Sequence, residues 1–132
     1  MKEKEKKDLM KRLLREPVKN MEFNKNSVSF EFDGRKIKDR IVFKREPHVG
    51  EWSRKKNTVF IDKELERKRS IHAISLHEAI EKYLNERYGL KTQEEAHAIA
   101  EKKERTFLKS VGGNWRSHEL MVYWLWHKKG EK

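Results

Sequence analysis

The sequence predicts an α+β fold with an N-terminal helix, a small three-stranded antiparallel sheet and then three helices. Three observations carry this. Apolar residues recur at helical spacing up to Leu14, alternate in strand fashion between residues 27 and 62, and return to helical spacing beyond Glu64.

Residues 2–15 read as a helix whose apolar stripe is Leu9, Met10, Leu13 and Leu14. Glu16-Pro17 ends it, because proline disfavours helical geometry in the residue before it. In SVSFEF, residues 27–32, Val28, Phe30 and Phe32 alternate with Ser29 and Glu31, the mark of a half-buried strand. Asp33-Gly34 is a strong hairpin turn, and KIKDRIVF returns with Ile37, Ile41 and Phe43 able to face one way. Residues 44–57 read as a charged loop holding Pro47, Gly50 and Trp52, and TVFID, residues 58–62, as the third strand.

From about Glu64 the pattern is helical, with Ile71, Ile74, Ala79, Ile80, Tyr83 and Leu84 on one broad face and Gly89 as the stop. Thr92 and Glu95 have capping-box spacing, so a further helix opens there and runs to about Val111, before Gly112-Gly113. The apolar run from Leu120 to Trp126 behind Ser117 is the last helix. Trp115, Tyr123, Trp124 and Trp126 are expected in the core, since indole rings bury much apolar area and little else here fills an interior.

The 132 residues form one expected domain, with a basic helical segment at 1–20 and a strand-plus-two-helix core at 58–111. Only 35% of residues are hydrophobic and 42% are charged, so that core is small and jacketed in charge. No apolar run approaches a membrane span, and MKEKEKKDLM lacks the apolar segment of a signal peptide, so a cytoplasmic location is expected. The absence of cysteine excludes disulfides, thiolate metal sites and cysteine nucleophiles.

A net charge of +11 is compatible with contact to a nucleic-acid backbone. The clusters are short, however: Arg54-Lys55-Lys56, Arg67-Lys68-Arg69 and Lys128-Lys129. Interleaved signs in the first twenty residues read as a solvated helix face, and no nucleic-acid-binding motif is visible.

Chemistry is concentrated in HEAIE, residues 77–81, and in AHAIAEKKE downstream. His77 with Glu81, and His97 with Glu101, are two His-x-x-x-Glu pairs, and positions four apart share one helix face. Two such helices packed together would gather His77, Glu81, His97 and Glu101 around a divalent metal. Zinc suits that set, which also serves iron, nickel or manganese. Glu78 lies about 100° round the helix from His77, beside such a metal rather than on it. Glu101 or Glu104 would orient His97 or add a ligand.

From Thr58 to Glu104, a strand leading into a helix that bears His-Glu-x-x, the chain resembles the zincin metallopeptidases. The resemblance implies a zincin-like core, His77 as the first zinc ligand and Glu78 as the general base toward a metal-bound water. It also implies a peptide or protein substrate lying near TVFID. The chain departs from the family at Glu81, which replaces the second histidine, and at His97, which supplies the third ligand.

The alternative is a non-catalytic basic protein that binds nucleic acid or a protein partner, its His/Glu pairs merely tying two helices together. Of the other histidines, His72 is about 140° from His77 round the helix and shares no metal with it. His118 is expected exposed in a capping turn, and His48 and His127 on the surface.

Overall fold

The computed structural model describes residues 1–45, 49–53 and 57–130, the last three by their backbone alone. His48 and the Arg54–Lys56 cluster lie outside the described residues, as do the side chains of Lys128 and Lys129.

Helix α1 (Glu3–Arg15) carries Glu3 and Glu5 in its first turn and Arg12 and Arg15 in its last, matching the helix dipole at both ends. It seats Leu13, fully buried, with Leu9, Met10 and Leu14 packed around it. Strands β1 (Lys19–Asn24), β2 (Ser27–Phe32), β3 (Arg35–Lys44), β4 (Gly50–Ser53) and β5 (Thr58–Asp62) follow. At the β2–β3 turn, Asp33 and Gly34 both have positive φ, 55° and 70°, so the two-residue loop has the type I′ sign that matches strand twist.

The expected three-stranded antiparallel sheet is not what forms. The sheet is five-stranded and mixed, in the order β1-β2-β3-β5-β4. The two unexpected strands are its edges. An edge strand buries little: β1 turns only Met21 and Phe23 inward, and β4 is four residues inside a charged stretch. TVFID is interior instead, antiparallel to β4 and parallel to β3, with Ile41 beside Val59. The chain after β3 runs out to the edge as β4 and comes back between the two. Thr58, Val59, Ile61 and Asp62 are buried accordingly. On β3 Ile37 and Ile41 are buried but Phe43 is 40% exposed.

Helix α2 (Lys68–Tyr88) lies between the sheet and α3 (His97–Ser110), and every residue from Ala73 to Lys82 is buried. Gly89 ends it in the left-handed region at φ 66°. One π-helical turn, Thr92–Ala96, leads into α3. Thr92 is not its cap: Glu95 accepts a hydrogen bond from the backbone N–H of Lys91 at 2.8 Å, and no side chain answers from the N-cap side.

In α4 (Trp115–Gly130) the Asn114 side chain accepts the Ser117 N–H at 2.9 Å. Among its described side chains only His118 and Leu125 are buried. Tyr123, Trp124 and Trp126 are 59%, 59% and 53% exposed, against the expectation that they form core. A helix lying on the surface buries a single stripe, and the run from Leu120 to Trp126 is apolar all round. No helix among the described residues is long and apolar enough to cross a membrane.

Candidate metal centre

Midway along α2, His77, Glu78 and Glu81 look into a cleft of about 790 Å³ bounded by β4, the π-turn, α3 and the far end of α4. All three are buried, with 7%, 9% and 6% exposure. Two local features close the walls. Ala96 and Ala100, both fully buried, let α3 approach α2. Gly50 lets the backbone of β4 lie on Ile74 and Glu78, where a Cβ would stand 2.8 Å from the one and 3.1 Å from the other. His97 is the first residue of α3, set by the wide π-turn before it, and its side chain is half exposed at the cleft.

The predicted ligands largely converge. One oxygen of Glu81 lies 2.8 Å from Nε2 of His77 and 3.0 Å from Nδ1 of His97. His77, Glu81 and His97 could hold a metal ion: their ligand atoms all lie within 4.8 Å of one another. A tetrahedral ion with bonds of about 2.0–2.1 Å keeps its ligand atoms about 3.3 Å apart, so small shifts would seat one. Glu101 is not in this group. It stands 3.5 Å from Nε2 of His97, the nitrogen turned away from Glu81, with 44% of its side chain exposed. Glu78 brings a carboxylate oxygen to 4.0 Å from the same Nε2 of His77 that faces Glu81.

Glu104 bonds to His77 and His118 instead of His97. Its Oε1 lies 2.6 Å from Nδ1 of His77, and its Oε2 lies 2.6 Å from Nε2 of His118. Nδ1 of His118 is in turn 2.9 Å from the Ser70 hydroxyl. His118, expected exposed, is 3% exposed, because α4 turns this side chain onto the Glu104 carboxylate. His72 stands apart, stacked on Phe23 with ring centroids 4.0 Å apart. His127 is exposed.

The electrostatics favour a cation. Burial opposes a charge on His77, yet its hydrogen bonds to Glu104 and Glu81 hold the imidazole's pKa well above 6.5. Burial likewise works against Glu81, but hydrogen bonds from His77 and His97 hold its carboxyl at about 2. Glu104 is also lowered, its bonds to His118 and His77 overcoming burial. Glu78 goes the other way. Burial lifts it to about 8; the charge of His77 opposes this, while those of Glu81, Glu104 and Glu51 add to it. A strongly basic chain has thus built a carboxylate-rich pocket around one imidazole.

Glu104 was legible only as a neighbour of His97, and its true partners lie 27 and 14 residues away. Nothing in the spacing of His118 or Gly50 ties either to His77. Comparison with protein-family models, with curated proteins and with solved structures finds no match in any of the three.

Proposed function

We propose that the cleft is the active site of a metal-dependent hydrolase acting on a peptide or protein, with zinc as its metal. One observation carries the reading: His77, Glu81 and His97 converge on a point beside which a separate buried carboxylate, Glu78, is aimed. Zinc bound there would polarise a carbonyl and bring the pKa of a bound water toward 7. The chain does the rest. Glu78 accepts the proton at its carboxylate, and a base near neutral pH suits that task. Glu104 holds the His77 ring, and Glu101 flanks His97. TVFID itself offers no free edge to an extended peptide, since β5 is paired on both sides. The outer strand β4, which lines the cleft, is the edge to which an extended peptide can add.

Metal analysis of protein purified without an affinity tag tests the first half, with about one equivalent of zinc expected. Less than about a tenth of an equivalent after reconstitution would sink the reading. Peptide hydrolysis tests the second half: Glu78→Ala should abolish turnover while keeping the metal, and unchanged turnover would remove Glu78 from its role.

A second reading, contact with a phosphate backbone, rests on Arg67, Lys68 and Arg69, which line a separate cavity of about 350 Å³ with Asn114 and Ser117. Arg67 already donates to the Ser117 hydroxyl and Arg69 to the Gly112 carbonyl. This reading requires affinity for DNA or RNA that falls steeply with salt and survives exchange of His77 and His97 for Gln.

A further inference from the structure

The chain Ser70–His118–Glu104–His77 crosses from the α2–α4 contact to the cleft with every distance between 2.6 and 2.9 Å. Glu104 stands between the two imidazoles, one oxygen 2.6 Å from Nδ1 of His77 and the other 2.6 Å from Nε2 of His118. With Nδ1 of His77 turned to Glu104, Nε2 is the ring nitrogen that faces Glu81, 2.8 Å from its oxygen, and a metal seated there would take the place of the proton on Nε2. The other ring nitrogen of His118, Nδ1, lies 2.9 Å from the Ser70 hydroxyl. Four buried groups thus form one continuous chain, and at its end the ring of His77 is held with Nε2 toward Glu81.

We propose that His118 is a positioning residue of the metal centre: through Glu104 it sets the tautomer and ring angle of His77, so that metal binding and the docking of α4 strengthen each other. This rests on the metal-binding reading above. The leverage comes from how α4 is held, with only His118 and Leu125 buried among its described side chains. One and two turns beyond His118, the same helix brings Val122 and Trp126 to the wall of the cleft. Loss of the polar pin would loosen both the ring of His77 and that wall. Coupling of this kind is reciprocal, so the metal must hold α4 as firmly as α4 holds the metal.

Cobalt(II) is the probe, its affinity measured by competition with a chelator. Wild type should bind one equivalent, and His118→Phe should bind about 10- to 100-fold more weakly, the usual cost of losing an outer-shell partner. His118→Gln, whose amide can still donate to Glu104, should recover part of that loss. Amide exchange on wild-type protein gives the reciprocal readout: saturating cobalt should slow exchange across α4. If wild type binds no cobalt, the metal reading falls and takes this proposal with it. If wild type binds and folded His118→Phe binds equally tightly, only the positioning role is overturned. If His118→Phe does not fold, α4 exchange in wild type decides, and identical rates with and without cobalt overturn the coupling.

Discussion

The backbone of Gly50 lies directly on the side chain of Glu78: a Cβ at Gly50 would stand 3.1 Å from Cγ of Glu78 and 2.8 Å from Cγ2 of Ile74. Contacts that short force movement. Gly50→Ala should lift the edge strand or displace Glu78, at a cost of about 1–3 kcal/mol. Urea denaturation of the metal-free protein measures it, and wild-type stability in the variant would refute the close approach.

The raised pKa of Glu78 has a definite sign in the stability of the metal-free protein. The folded state keeps the proton to about 8, whereas the unfolded chain releases it near 4.5. Stability from this group is therefore full below the unfolded value and lost as pH rises toward the folded one. Glu78→Gln has no proton to lose. Its advantage over wild type should widen between about pH 5 and about pH 8, as denaturation midpoints would show. A constant gap would mean that Glu78 is ionised throughout.

Asp33 behaves oppositely. Burial resists its charge, but hydrogen bonds from Tyr88, Arg12 and Tyr83 outweigh that and hold the carboxyl below 3.8. Its contribution is present above the unfolded value and lost as pH falls through the folded one. Asparagine tolerates the same left-handed backbone, so Asp33→Asn isolates the charge. The variant should lose about 1.5–3 kcal/mol at neutral pH, and the difference should shrink in acid below 3.8. A pH-independent difference would contradict this.

Lys82 is 5% exposed, with its ammonium 3.2 Å from the buried Asp39 and 3.1 Å from the Asn57 side chain. Burial already pushes the Asp39 carboxyl upward, against the pull of Lys82. Lys82→Met removes the counter-charge and should cost about 3–5 kcal/mol, because a buried charge loses its partner. A loss under about 1 kcal/mol would show that Asp39 is neutral in the fold.

Much of the fold was legible wherever a local pattern decides the local outcome. Pro17, Asp33-Gly34 and Gly89 act within a few residues of themselves, and the helix and hairpin boundaries they imply are found. The edge strands were hidden because Met21 and Phe23 alone signal β1 and because β4 lies in a stretch dominated by charge. The place of TVFID between β3 and β4 depends on where the chain goes between strands, which residue alternation does not encode. The aromatic run of α4 misled for a related reason: composition shows that it is apolar, but only packing shows which side is covered.

The sequence by itself determined that His77 and Glu81 share one face of a helix, since four residues are one helical turn whatever surrounds them. It likewise set Glu78 beside that face and His97 near the start of the next helix. Tertiary structure alone decided that one oxygen of Glu81 stands between two imidazoles, that Glu104 turns to His77 instead of His97, and that His118 arrives from the last helix to complete the chain. The physical reason is reach. Helical periodicity orders residues within a turn or two, whereas a buried carboxylate takes whichever donors packing brings to it, here from residues 27 and 14 positions away.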